Sequence, residues 1–402
     1  MSLNSTPSSE RIHIGIFGNR NSGKSSLINS LTGQSLAIVS DTPGTTTDPV
    51  IKAMEILPLG PVVIIDTPGV DDEGKLGNLR VEKSLNILNK TDIAILVVDI
   101  TKGFTNENKY VLKTIRDKNI PYIIAANKTD LSACPDFDRQ TEELHLSDKD
   151  IIKVSTLTGE NIFTLKEKIG NILPDKKEHK HIVGDLIKPG DFIILVVPVD
   201  QSAPKGRLIL PQQQTIRDIL DSDAISVVLK DTELKTTLDK IGIKPDLVIT
   251  DSQVFEKVAA VVPQNIPLTS FSILFARYKG DLKDTVNGAA KLDDLEDGDK
   301  ILISEGCSHH RQCDDIGTVK LPKWLSRYSG KNLEFYFSSG NDFPVDIEKY
   351  KMIIHCGGCT LNEREMKYRI KCAKDKNVPI TNYGMAIAHM KGILSRSLEI
   401  FR

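Results

Sequence analysis

The sequence predicts an α/β protein of three domains with mostly parallel sheets, and three observations predict it. Its 402 residues exceed the roughly 100–150 that one ordinary core organises, so two or three domains are expected. From Arg11 onward short apolar runs alternate with stretches of helical period, the rhythm of βα units. The first apolar run and the first helical stretch are joined by a glycine-bearing octapeptide, Gly18 to Ser25.

The elements follow in order. Ile12 to Phe17 reads as a strand, Lys24 to Leu31 as a helix with Leu27, Ile28 and Leu31 on one face, and Val62 to Asp66 as a strand. Val81, Leu85 and Leu88 mark a helix, and Ile93 to Asp99 and Tyr122 to Asn127 are strands of the fully buried type. A polar stretch from Pro174 to His181 reads as a linker that closes a first domain over residues 9–173. A second domain, 184–267, carries strands at Phe192 to Val199, Ile225 to Leu229 and Asp246 to Thr250 and a helix entered at Pro211. Pro263 and Pro267 mark its expected end, and a third domain, 268–402, follows.

Composition narrows the function. With 40% hydrophobic and 26% charged residues, a net charge of −2 and no run near the ~18 apolar residues of a membrane helix, a membrane-spanning chain is not expected. The balanced charge argues against a broad nucleic-acid-binding field. The Ser-rich start, Met1 to Arg11, lacks the features of a secretory signal, so the expected location is the cytoplasm, where cysteines stay thiols or bind metal. Four of the six cysteines crowd between Cys307 and Cys359, which raises metal ligation as a hypothesis.

Gly18-Asn19-Arg20-Asn21-Ser22-Gly23-Lys24-Ser25 fits G-x-x-x-x-G-K-S/T between a strand and a helix, as a phosphate loop requires. Such a loop wraps a β-phosphate in backbone N–H groups, so Asn19, Asn21, Ser22, Gly23, Lys24, Ser25 and Ser26 are expected around the phosphates. Lys24 would supply charge to the β/γ oxygens and the Ser25 hydroxyl would ligate Mg²⁺. Asp66-Thr67-Pro68-Gly69, Asn127-Lys128-Thr129-Asp130 and Ser155-Thr156 follow at later strand ends. Asp66 can hold Mg²⁺ through water, and the Gly69 amide can meet the γ-phosphate. A carboxylate at Asp130 can accept from guanine N1–H and the exocyclic amine, a donor pair adenine lacks, so GTP is preferred over ATP.

These residues resemble the translation-factor-related GTPases, in particular the branch with Era and the tRNA-modification GTPase MnmE. The resemblance implies a P-loop GTPase fold for the first domain. Asp41 to Asp48 looks like the first switch of that branch, with Thr46 the second Mg²⁺ hydroxyl. Ras-like enzymes place a water-orienting Gln after Asp-x-x-Gly, whereas Val70 stands here, so intrinsic hydrolysis is expected to be slow. The potassium-activated members use an Asn at the place of Asn21 to help bind K⁺; the ordinary alternative is that Asn21 only shapes the turn.

Cys307-Ser308-His309 and His355-Cys356-Gly357-Gly358-Cys359 each follow a predicted strand, Lys300 to Ser304 and Lys351 to Ile354. Parallel strands deliver such ends to one rim, which bridges the 48 residues between Cys307 and Cys356. The glycine pair permits a tight turn that lets both thiolates of Cys-x-x-Cys face one centre. A helix from Asn362 to Ala373 would favour an anion at its start. Two readings compete. Four cysteines, with Cys313, would make a closed structural zinc site. Three cysteines and a weaker fourth ligand would suit a 4Fe–4S cluster with one exchangeable iron.

The whole arrangement resembles the FeFe-hydrogenase maturation GTPases, the HydF family, over essentially the entire chain. The resemblance implies a 4Fe–4S cluster on Cys307, Cys356 and Cys359. For the fourth position the residues nearby offer His355, with His309, His310, Asp314 and Asp315 as alternatives. It implies a homodimer formed through the second domain. It also implies a scaffold or carrier on which a transient two-iron subcluster precursor is assembled, with the FeFe-hydrogenase apoprotein and the radical SAM maturases as partners and no nucleic acid. The alternative is an RNA- or ribosome-associated GTPase with a structural zinc module; the interspersed charge of the last third, as in Asp293 to Asp297, argues against it.

Overall fold

The structure is a computed structural model that describes residues 6–33, 50–68, 85–173, 180–198, 208–306, 315–340 and 342–402. The chain divides into two compact units, Met1–Lys177 and Glu178–Arg402. Among the described residues no helix is long and apolar enough to cross a membrane.

The first unit is built on six strands, β1 (Ile12–Gly18), β2 (Val50–Ile56), β3 (Gly60–Asp66), β4 (Ile93–Asp99), β5 (Tyr122–Asn127) and β6 (Ile151–Lys153). They lie in the order β2-β3-β1-β4-β5-β6. All pairings are parallel except β2 with β3. The central strand shows why the sheet takes helices on both faces. Side chains of a strand alternate between faces. Ile93, Ile95 and Val97 of β4 join Leu27, Ile28 and Leu31 of the helix Lys24–Thr32 in one core. Ala94, Leu96 and Val98 join Val111, Leu112 and Ile115 of the helix Asn106–Asp117 in another. A strand apolar at every position must be covered twice, and β4 is buried throughout.

The second unit holds two four-stranded sheets, parallel throughout. One contains β7 (Phe192–Val196), β8 (Ile225–Leu229), β9 (Leu247–Thr250) and β10 (Leu268–Ser270) in the order β10-β9-β7-β8. The other contains β11 (Lys300–Glu305), β12 (Glu334–Ser339), β13 (Met352–His355) and β14 (Ile380–Asn382) in the order β12-β11-β13-β14. The expected α/β class with three mostly parallel sheets is therefore the observed one.

The expected boundary at 267 is corrected. Leu268–Ser270 forms β10 of the middle sheet, and Val248 N donates to Pro267 O at 2.9 Å. Pro267 signalled a break because proline lacks an N–H, but just before an edge strand that lack is tolerated. The cores also merge: Val248, Leu268 and Ile273 share one cluster with Ala289, Met385 and Ala388. Strand β2 escaped the sequence reading because Lys52 and Glu55 break its apolar pattern, as suits an edge. The helix expected around Val81, Leu85 and Leu88 is present at 85–88, and Val81 lies outside the described residues.

The helix Leu282–Ala290 meets β14 at Gly288, where an added Cβ would stand 2.0 Å from Ile380 O. Gly288→Ala is accordingly expected to destabilise the protein by ~1–3 kcal/mol, read as a lower urea midpoint of the second unit. An unchanged midpoint would show that the helix can back away at no cost.

Candidate functional site

The phosphate loop leaves the carboxyl end of β1 and closes on the helix Lys24–Thr32. Its glycines are dictated by close approach. A Cβ on Gly18 would stand 2.3 Å from Val97 O, and one on Gly23 2.1 Å from Asn127 Nδ2, both at positive φ. Asn21 also adopts a left-handed backbone, φ 59°, and is exposed. Buried Lys24 donates from Nζ to Gly18 O (2.9 Å) and Asn19 O (2.8 Å), folding its ammonium over the loop where phosphate oxygens would replace these carbonyls.

The two described residues expected at Mg²⁺ lie side by side, Ser25 at the start of the helix and Asp66 at the end of β3. Ser25 Oγ donates to Asp66 Oδ2 at 3.1 Å, and Asp66 Oδ1 is buried without a hydrogen-bond partner. Burial pushes the Asp66 carboxyl up, against the opposing pull of Lys24 and the Ser25 hydrogen bond. An orphaned buried carboxylate oxygen beside a serine hydroxyl is a donor set suited to a hydrated divalent cation.

The residues expected to read the base lie close together. Asn127 donates from Nδ2 to Ser22 O (3.0 Å) and accepts at Oδ1 from Thr156 N (3.1 Å), stapling the phosphate loop to the loop after β6. Ser155 Oγ donates to Asp130 Oδ1 at 2.5 Å, which orients the carboxylate proposed to read guanine. Lys128, at φ 73°, reaches Asp99 Oδ2 at 2.6 Å. Against the desolvation of burial, hydrogen bonds from Lys128 and Thr101 hold the Asp99 carboxyl below the usual range. Ser26 lies in the first turn of the helix, and Ser30 Oγ donates to its carbonyl. Thr46, Gly69 and Val70 lie outside the described residues.

The sequence reading did not anticipate the mount of Asn19. Its Nδ2 donates to Thr105 Oγ1 (2.9 Å) and its Oδ1 accepts from Asn108 Nδ2 (3.0 Å). Thr105 and Asn108 are the capping box of the helix Asn106–Asp117. The signal was there, since Thr-x-x-Asn before a helical stretch is an N-terminal cap pattern.

At the second locus, β11 and β13 pair with Ser304 opposite His355, and Cys356 N donates to Ser304 O at 2.8 Å. This register sets Gly306, the residue before Cys307, against Cys356. Gly306 N donates to Cys356 Sγ at 3.1 Å and Gly358 N at 3.4 Å. Two backbone N–H groups aimed at one sulfur favour a thiolate, the form that binds metal. Gly358 turns at φ 63°, and a Cβ there would stand 2.6 Å from Met366 Sδ. The following helix, Glu363–Asp375, is capped by Asn362, whose side chain accepts from Glu365 N at 3.0 Å.

Two buried cations flank this loop, and neither was foreseen. Lys279 donates from Nζ to Leu361 O (3.1 Å) and Cys359 O (3.4 Å). Burial pushes the Cys359 thiol up, and Lys279 pulls it down. Arg369, 1% exposed, contacts His355 Nε2 at 3.0 Å, while His355 Nδ1 lies 2.7 Å from Cys356 O. Burial first, then the Arg369 charge, pushes the His355 imidazole down to about 3. A buried carboxylate, Glu305, accepts from Tyr383 Oη at 3.2 Å, and burial and that neighbour push the phenol up. Asp315 caps the π-helical turn Ile316–Lys320, accepting from Thr318 N and Oγ1 at 2.8 and 2.9 Å. Cys307, His309, Cys313 and Asp314 lie outside the described residues; among the described ones no three metal-binding side chains converge.

Comparison with known proteins adds the following. The 50S ribosome-binding GTPase family model matches residues 13–128. The hydrogen maturase F dimerization domain matches 182–280 and the hydrogen maturase F tetramerization domain 283–400. GTPase Era of Halothermothrix orenii is 29% identical over 218 residues, 51% of this chain and 72% of that protein. The tRNA modification GTPase MnmE of Alkaliphilus metalliredigens is 33% identical over 165 residues, 41% of this chain, and the chain spans only 35% of its length. A crystal structure of Aquifex aeolicus Era bound to GDP.AlF4- aligns at a TM-score of 0.37 and 22% identity, over 54% of this chain and 92% of that one.

The Asp130 geometry makes a specificity prediction. Asp130→Asn exchanges an acceptor for a donor against guanine, so GTP affinity should fall about tenfold or more, while xanthosine triphosphate, which offers a carbonyl there, should gain. Titration calorimetry with both nucleotides checks this; unaltered GTP affinity would remove Asp130 from base recognition.

Proposed function

The chain belongs to the hydrogen maturase F family and carries an Era- and MnmE-like GTPase domain, and from that premise we propose that it is a GTP-hydrolysing scaffold or carrier for metallocofactor assembly. In this reading it holds a 4Fe–4S cluster on Cys307, Cys356 and Cys359 and assembles or delivers the two-iron subcluster to FeFe-hydrogenase. The observation that carries the cluster assignment is the Cys356 sulfur, cradled by two backbone N–H groups and set against the residue that precedes Cys307. When bound, the cluster supplies an iron with an exchangeable fourth position. The chain's own part is to support anionic sulfur: Gly306 and Gly358 donate to one, and Lys279 pulls against the desolvation that pushes the other up. With both ring nitrogens of His355 engaged, His309 and Asp314 become the preferred candidates for the fourth position.

At the nucleotide site Lys24 neutralises the β/γ phosphates, Ser25, Thr46 and Asp66 hold Mg²⁺ and the Gly69 amide meets the γ-phosphate. Asn21 coordinates K⁺ in place of an arginine finger. The radical SAM maturases and the hydrogenase apoprotein are the partners that turnover would gate. The two domains named for oligomerisation support self-association, and β8, an open edge with Ile225 and Val228 exposed, offers a strand to a second copy.

Three measurements test this reading. Anaerobic reconstitution is expected to give a brown protein with iron and sulfide near four per chain and Cys356→Ser with far less; zinc alone would overturn it. GTP turnover should be faster in potassium than in sodium, and Asn21→Ala should erase the difference, whereas equal rates in the two buffers would remove Asn21 from potassium binding. Val228→Lys, which charges the open edge, should shift the oligomer to a smaller species on size-exclusion chromatography; an unchanged elution volume places the contact elsewhere.

A further inference from the structure

Arg369 is among the largest fully buried side chains of the protein. It stands on the helix Glu363–Asp375, one turn after Glu365, and its guanidinium joins separate elements. Nη2 donates to Glu365 Oε1 and to Gly340 O, both at 2.6 Å, the latter just past the end of β12. Nη1 donates to His355 Nε2 at 3.0 Å, at the end of β13. The ring of Phe343 lies 5.2 Å from its central carbon. A buried guanidinium is tolerable only when its charge is met; Glu365 supplies that charge, Nη1 and Nη2 are engaged, and Nε is left without a hydrogen-bond partner.

The Nη1 contact fixes the chemistry of His355. A guanidinium only donates, so Nε2 must accept, and the proton of the neutral imidazole then sits on Nδ1. That Nδ1–H points at Cys356 O, 2.7 Å away. The relay runs Glu365, Arg369, His355, Cys356, and it ends on the peptide that begins the Cys-Gly-Gly-Cys turn. Gly357 and Gly358 follow, residues with no side chain to hold the turn and with the widest backbone freedom. An anchor on the Cys356 carbonyl therefore does what the glycines cannot.

We propose that Arg369 is a positioning residue for the cysteine loop: acting through His355, it grips the Cys356 carbonyl and so fixes the direction in which the Cys356 and Cys359 sulfurs are presented. His355 serves as the link in this relay, and neither of its ring nitrogens is available to a metal. The inference builds on the proposed cluster only in what the loop holds, because none of these hydrogen bonds involves a sulfur.

The test uses the full-length, cluster-free protein under reducing, anaerobic conditions, with mass-spectrometric rates of iodoacetamide alkylation at Cys356 and Cys359. Arg369→Lys keeps the charge but cannot reach His355, Glu365 and Gly340 together. His355→Gln keeps a polar group near Nε2 and loses the donor to Cys356 O. Each is expected to raise the alkylation rates about tenfold, the scale on which such supporting contacts act, and the double variant no further than either alone. Unchanged rates, or effects that multiply in the double variant, would overturn the proposal, since a core cross-link independent of His355 gives additive losses. Should Arg369→Lys fail to fold, His355→Asn decides against His355→Gln. Asn places its amide near Nδ1 and should keep the loop close to the wild-type rate, and equal rates for the two would overturn the relay. In reconstituted protein the same variants should bind iron about tenfold more weakly. Wild-type protein that takes up no iron and sulfide would overturn the cluster reading, while the alkylation rates would still decide this one.

Discussion

Parallel pairing of β11 with β13, Ser304 opposite His355, is the constraint on which the cysteine loop depends. Without that register Gly306 would not face Cys356, and the two halves of the motif, far apart in sequence, would have no reason to meet. A slip of one residue would also turn Ile301 and Ile303 out of the core they share with Met352 and Ile354. The apolar core thus enforces the register, and the register delivers the sulfur environment. The chemistry at the rim is stabilised by packing that never touches it.

The nucleotide site obeys the same rule in the first unit. Strands β1, β3, β4 and β5 end in Gly18, Asp66, Asp99 and Asn127, and the parallel register sets these ends side by side. Asn127 then ties the phosphate loop to the base-recognition loop, and Gly23 exists to let it approach. The two sites differ in what finishes them. The phosphate loop is completed by Asp66 and Asn127, which stand in recognisable strand-end motifs, whereas the cysteine loop draws on Lys279 and Arg369, which stand in none.

That difference explains what was legible. Strands such as Ile93–Asp99 and Tyr122–Asn127 announce themselves because burial on both faces demands an unbroken apolar run. The GTPase residues are legible because phosphate and guanine recognition impose fixed spacing on contiguous residues. Strand β10 was hidden behind two prolines, and β2 behind the polar residues of an edge. Lys279, Glu305 and Arg369 were invisible for a physical reason: a charge in a helical or strand pattern looks solvent-facing until tertiary structure closes over it. His355 was a candidate ligand through the Cys/His pattern it shares with Cys356 and Cys359, and only the fold reveals the guanidinium that occupies its Nε2.

Buried charge of this kind is costly, so its presence needs an account. A core of apolar residues would be more stable than one that sequesters Arg369 and Glu365, since desolvating an ion pair usually offsets its Coulombic gain. The same holds for Lys279, which spends its hydrogen bonds on the carbonyls of Cys359 and Leu361. Both cations sit within two contacts of the Cys-Gly-Gly-Cys turn, one beneath its first residue and one beneath its last. Burial drives a thiolate at this depth toward the neutral thiol, and the Lys279 charge opposes that push on Cys359 without cancelling it. Positive charge held on rigid elements, with its hydrogen bonds ending on backbone carbonyls and on His355, shapes the loop, while Gly306 and Gly358 alone of these groups donate to sulfur.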